Sequence, residues 1–234
     1  GAWHGYFTEI GAEACGLSLW KTHSTVVHAV ASSPRGPFVK AGVVLPHEAH
    51  NPEVLRVNGS YVLFHIGSAR LKSPLTRCNG SSVAATRAAR AAVDDAAGVD
   101  ATEPTCRNFH GVDNCVQMHE SATLAGPFTP VAAHRVGGKA WVPCNNPSPA
   151  LGPNGTLWLA CAWSLRASHS GRPEGPWTAD RPIGGGGSGG GRAWSNRSWE
   201  DPFLWFDARG NWHILAHCYT DAPYAAVGAH NAIC

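Results

Sequence analysis

Three short elements recur in the same order along this sequence, and that order leaves few folds open. The first is a turn glycine feeding an alternating apolar and aromatic run. Its copies are Gly59-Ser60-Tyr61-Val62-Leu63-Phe64, Gly155-Thr156-Leu157-Trp158-Leu159, Gly210-Asn211-Trp212-His213-Ile214-Leu215 and, opening the chain, Gly1-Ala2-Trp3-His4-Gly5-Tyr6-Phe7. Alternation with period two is a strand signal, because successive side chains then point to opposite faces. Eight or nine residues upstream of three of those glycines lies the second element: His50-Asn51-Pro52, Asn145-Asn146-Pro147 and Glu200-Asp201-Pro202. The third is a Gly-Pro-aromatic turn at Gly36-Pro37-Phe38, Gly126-Pro127-Phe128 and Gly175-Pro176-Trp177. Strands carrying His28-Ala29, His119-Glu120 and Ser168-His169 lead into it, and Ala229-His230 opens a fourth.

One unit therefore runs from an Asx-Pro strand through a glycine turn, two further strands and the Gly-Pro-aromatic turn. That order predicts four-stranded antiparallel blades repeated around an axis: an all-β β-propeller with about four blade units represented. Units recur at about 50 to 60 residues once insertions are allowed for, near the kelch repeat length. A β-sandwich is the alternative, but it does not require the same elements in the same order each time. The abundance of Gly (27), Pro (17) and Trp (10), against 15% charged residues, suits short strands and tight turns better than packed helices.

Residues 1–234 read as a single propeller domain, incomplete at both ends, since the first unit opens at its turn Gly1 and the last stops at Cys234. Two insertions interrupt it. One, at about 69–106, contains the Ala-rich tract from Val83 to Val99, with Cys78 facing either Cys106 or Cys115 as a partner. The other, at about 184–191, is Gly-rich, and the repeat resumes in register at Trp199-Glu200-Asp201-Pro202.

Eight cysteines without paired C-x-x-C spacing point to disulfides rather than a zinc site. Asn-x-Ser/Thr acceptors stand at Asn58, Asn79, Asn154 and Asn196, two of them directly before turn glycines. Together these features predict a secreted, extracellular glycoprotein; a cytosolic protein with free thiols is the alternative. A net charge of +2 gives no reason to expect nucleic acid as a partner, and no apolar run approaches the length that inserts into a membrane.

Equivalent positions of a propeller repeat form a ring at one mouth of the central channel. Asn51, Asn146 and Asp201 are such positions, with His50, Asn145 and Glu200 beside them. Polar groups next to an aromatic ring such as Trp199 are what a sugar pocket requires, because hydroxyls need donors and acceptors and sugar faces stack on rings. Asx-Pro is also a common turn initiator, so repetition argues structure while variation between copies argues function. Glu200 is the informative departure. The thirteen histidines scatter over strands without a ligand spacing, so no metal or other cofactor is expected, a channel cation being open but unsupported.

The Asx-Pro and Gly-Pro-aromatic elements resemble those of glycoside hydrolase family 43 and the related family 32. The resemblance implies a five-bladed propeller that cleaves glycosidic bonds with a first-blade Asp base, a second Asp and a Glu general acid in a Glu-x-Pro motif, matched here by Glu200-Asp201-Pro202. It makes Glu200 the acid and Asp201 its neighbouring carboxylate. The sequence departs from the pattern in three ways. The first-blade Asp position lies upstream of Gly1, the second-blade position is Asn51 with Glu53 two residues on as its substitute, and Glu200 falls one blade late. The expected partner is a carbohydrate ligand or substrate, with other extracellular proteins as a further class. The alternative is a non-catalytic glycan-binding or structural propeller that has lost its carboxylates.

Overall fold

The computed structural model describes residues 1–10, 20–69, 116–131, 144–162, 166–178, 181–182, 198–219 and 231–232. The interiors of both insertions, Cys15, Cys78, Cys106, Cys115 and Cys234, and the acceptors Asn79 and Asn196 lie outside the described residues. Among the described residues the fold is all-β apart from one four-residue helix, and the chain's contacts group into two compact units, Gly1–Pro130 and Val131–Cys234. Among the described residues no helix is long and apolar enough to cross a membrane.

The first unit holds two antiparallel sheets. β1 (Trp3–Ile10), β2 (Ser24–Ala31) and β3 (Val39–Leu45) form a three-stranded sheet in that order, with the helix α1 (Trp20–His23) leading into β2. β4 (His50–Val57), β5 (Ser60–Ile66), β6 (Val116–Ser121) and β7 (Thr129–Pro130) form a four-stranded one. Val26, Leu45, Leu63 and Phe128 are buried together between them, with Tyr6 and Val54 packed alongside. Each such side chain withdrawn from water is worth about 1.5–3 kcal/mol.

The second unit repeats the plan. β8 (Ser148–Leu151), β9 (Leu157–Cys161), β10 (Arg166–Ser170) and β11 (Arg181–Pro182) make a four-stranded sheet, and β12 (Ser198–Phe206), β13 (Trp212–Tyr219) and β14 (Asn231–Ala232) a three-stranded one. Leu204 and Ile214 pack on Ala150, Ala160 and Trp158. A disulfide joins Cys144 to Cys161, closing a loop of 17 residues at the start of the sheet.

The recurrent sequence elements become recurrent geometry. In each Gly-Pro-aromatic turn the glycine N–H donates to the carbonyl three residues back: Gly36 to Ser33, Gly126 to Thr123 and Gly175 to Arg172. All three glycines have φ between 77° and 89°, and all three Gly-Pro bonds are cis. The glycine carbonyl is capped each time by a different side chain, Ser33 Oγ, Thr123 Oγ1 or Arg172 Nε. The turn is thus conserved in form while its chemistry varies.

The Asx-Pro element is a bulge in two of its three copies. Asn51, Asn146 and Asp201 all take left-handed φ values of 46–50°, and the strand ladders skip between His50 and Glu53 and between Glu200 and Phe203. Short Asx side chains tolerate that backbone region better than most residues, and proline, lacking an N–H, is accommodated where a ladder bond is already missing.

Pairing also corrects the alignment of the histidine strands. Gly5, Leu63 and Leu159 face Ala29, His119 and Ser168, so the equivalent of His119 is Ala29 rather than His28. A one-residue slip moves a side chain to the other face of a sheet. His28 instead lies opposite Tyr6 and stacks on His4, whose Nδ1 is 2.8 Å from His28 Nε2. Burial, with His4 adding to it, pushes the His28 imidazole below its ordinary pKa.

Candidate functional site

In the second unit, β12 carries Glu200 and Asp201 into the bulge. At the left-handed Asp201 the carboxylate meets both β13 and the segment leading into β8. Asn146 Nδ2 donates to Asp201 Oδ1 at 2.6 Å, and His217 Nδ1 stands 3.2 Å from Asp201 Oδ2. Asn146 is 7% exposed, whereas the Asp201 side chain is 47% exposed. One buried amide therefore anchors a carboxylate that still reaches solvent. Glu200, half-buried, pairs with His217 across the β12–β13 ladder. The cluster offers a carboxylate, an imidazole and an amide, with Glu200 next to it in the chain, which suits hydrogen bonding to vicinal hydroxyls.

Asn145 lies deeper, at 9% exposure. Its carbonyl accepts the Ala162 N–H at 2.8 Å, and its Oδ1 is buried without a hydrogen-bond partner. Trp199 pairs with Cys218 in the same ladder; its ring is outside the described residues.

The remaining predicted site residues belong to the first unit. Ser24 Oγ is 2.8 Å from His50 Nδ1, and the Trp20 ring lies 4.7 Å from the His50 ring, centroid to centroid. The Asn51 N–H donates to Thr8 Oγ1 at 3.1 Å. Glu53, half-buried, is in register with Phe64. His50, Asn51 and Glu53 thus cluster around one bulge, and Glu200, Asp201 and Asn146 around another. Trp20 is an aromatic that reaches a predicted polar residue, and only its place before β2 could have singled it out among ten tryptophans.

A cavity of about 280 Å³ opens elsewhere in the first unit, lined by His4, Tyr6, Pro52, Val54, Arg56 and Tyr61 among others. None of the predicted site residues lines it. Among the described residues no three His, Cys, Asp or Glu side chains converge as a metal ion would require. The acceptors Asn58 and Asn154 are both exposed at hairpin turns, where Asn58 takes φ 50° and Asn154 Oδ1 accepts the Thr156 N–H.

Neither a protein-family model nor a curated protein sequence matches the chain. Solved structures do. A family 43 (GH43_1) enzyme from Xanthomonas citri, complexed with xylotriose, aligns over 93% of this chain at 15% identity and a TM-score of 0.53. The xylan β-1,4-xylosidase of Bacillus halodurans aligns over 95% at 11% identity and a TM-score of 0.54. A family 43 β-xylosidase/α-arabinofuranosidase from a compost metagenome aligns over 93% at 16% identity and a TM-score of 0.50. This chain covers 60%, 36% and 61% of those proteins respectively. At such identities the likeness is one of fold. The chain has the propeller fold of the family 43 glycoside hydrolases.

Proposed function

We propose that this chain is an extracellular carbohydrate-active protein that cleaves glycosidic bonds with paired carboxylates, its four sheets being blades of a five-bladed propeller. The observation carrying the reading is the Asp201 carboxylate, held by Asn146 and His217 and next in the chain to Glu200, in a fold shared with family 43 enzymes. Glu200 would protonate the leaving oxygen. Asp201, fixed by its two partners, would be the neighbouring carboxylate that orients substrate hydroxyls. Structures with this fold have been solved with xylose and xylotriose, which makes xylo-oligosaccharides the first substrates to try.

A second reading, glycan binding without hydrolysis, is favoured by one observation. Two of the three left-handed Asx positions, Asn51 and Asn146, carry amides, and Asn146 is committed to holding Asp201. Xylotriose hydrolysis by wild type and Glu200→Gln separates the two. The substitution keeps size and hydrogen bonding but removes the transferable proton, so turnover should fall by about 10²–10⁴ while binding persists. Equal rates would remove Glu200 from the mechanism. Binding of xylotriose by the wild type with no cleavage would establish the second reading.

A further inference from the structure

The three copies of the Asx-Pro element differ in what fixes the chain just ahead of them. In the first copy His50 pairs with Ile66, and in the third Trp199 and Glu200 pair with Cys218 and His217, so a strand ladder flanks the left-handed Asx residue on both sides. In the second copy the ladder opens at Ser148, paired with Ala160, and among the described residues no ladder pair precedes it. Asn146 nevertheless keeps the left-handed conformation, with φ 46°, and is buried. A non-glycine residue stays in that region only where its surroundings hold it.

Two ties stand where the ladder is missing. The Ala162 N–H donates to the Asn145 carbonyl at 2.8 Å, and the disulfide joins Cys144 to Cys161, both of them buried. The Asn145 Oδ1 adds no third tie, being buried without a partner. A single backbone hydrogen bond frays where a covalent bond does not, so the bridge governs where this segment lies. Two contacts with β12 follow it: Asn146 Nδ2 donates to Asp201 Oδ1 at 2.6 Å, and the Leu204 N–H donates to the buried Ser148 Oγ at 2.9 Å. Ser148 keeps its place through its ladder partner Ala160. Asn146 lies outside the ladder and depends on the bridge two residues ahead of it.

We propose that the Cys144–Cys161 disulfide is the positioning element of the Asp201 cluster. It holds the segment that presents Asn146, and without it the Asn146–Asp201 bond opens while the sheets persist. The coupling concerns the geometry of the cluster, and it holds whether the cluster cleaves a glycan or only binds one.

NMR of the nitrogen-labelled full chain tests this through the Asn146 side-chain amide. With the bridge intact, Asp201→Asn should shift that resonance, because the carboxylate is its acceptor. In Cys144→Ser/Cys161→Ser the amide protons should exchange with solvent at least about tenfold faster, while the backbone amides of β12 and β13 stay protected. Adding Asp201→Asn to that variant should no longer move the resonance. Serine would bury a hydroxyl at both positions, so Cys144→Ala/Cys161→Ala, which leaves no polar group there, is measured beside it. Gly155→Ala strains the β8–β9 hairpin through its φ of 77° and keeps the bridge, so it reports lost stability alone. Its Asn146 amide should behave as in the wild type. An amide indifferent to Asp201→Asn with the bridge intact, or unchanged in both bridge-free variants, overturns the proposal. So does the same acceleration in Gly155→Ala. Failure of both bridge-free variants to fold overturns it too, since the bridge would then be a requirement of the sheet and not of the cluster. The readout needs no catalysis, so a chain that hydrolyses nothing counts against the proposed function and not against this coupling.

Discussion

Position in the repeat decides what each carboxylate experiences. Asp201 sits in the bulge between an amide and an imidazole, whereas Asp207 closes the following hairpin. There its carboxylate accepts the Asn211 and Arg209 backbone N–H groups, at 2.9 Å each, and stands 2.8 Å from His213 Nε2. These bonds, the Asn211 N–H foremost and His213 next, draw its pKa from 3.8 down to about 2, against an opposing desolvation. Because the folded value is the lower one, the carboxylate favours the folded turn fully above pH 3.8. That contribution fades as pH falls from there through about 2. A carboxyl-carbon NMR titration should place Asp207 near 2, and Asp207→Asn should remove this acid-dependent component. A midpoint at the ordinary value would mean that the turn does not hold its carboxylate. Asn145 shows a different limit of residue-type reasoning. It is almost wholly buried ahead of β8, and its carbonyl accepts the Ala162 N–H, which its polarity in the sequence did not reveal.

Elements stand or fall on backbone demands that side-chain pattern only hints at. Gly67 follows β5 with φ 90°, and a Cβ there would lie 2.0 Å from the Glu48 carbonyl oxygen, which also accepts the Ala69 N–H. Gly59 has a similar φ of 92° but open space around it. Alanine at Gly59 should therefore cost only the left-handed penalty of about 1–2 kcal/mol. At Gly67 the same penalty is joined by a backbone clash, so the loss should be clearly larger. Urea midpoints of the two variants compare them directly, and equal midpoints would show that the Glu48 segment yields freely. The Cys144–Cys161 bridge acts on the β8–β9 pair. Its loop of 17 residues predicts that replacing both cysteines by serine lowers stability by about 2–4 kcal/mol, read from the same denaturant curves. An unchanged midpoint would mean that the bridge adds nothing to the fold.

For the whole molecule, secretion is testable on the intact protein. Asn58 and Asn154 are exposed at hairpin turns and sit in acceptor triplets, so protein from a secretory host should lose mass on enzymatic removal of N-glycans. An unshifted mass, with eight alkylatable thiols before reduction, would overturn the extracellular assignment. The order of elements, their antiparallel pairing and the family 43 likeness were legible in the sequence because each rests on local chemistry. Glycine supplies positive φ, Asx-Pro initiates a bulge, and alternation assigns faces within a few residues of chain. The partnership of Asp201 was not legible, since Asn146 lies 55 residues away and meets it only when one sheet packs on the next. Nor was the face of His28, because bulges in the β2–β3 pairing and the true β1–β2 register decide it, and one residue of slip reverses it. Local turn chemistry writes itself into sequence. Register and sheet packing depend on what distant strands bring to the same place, and only the tertiary structure decides that.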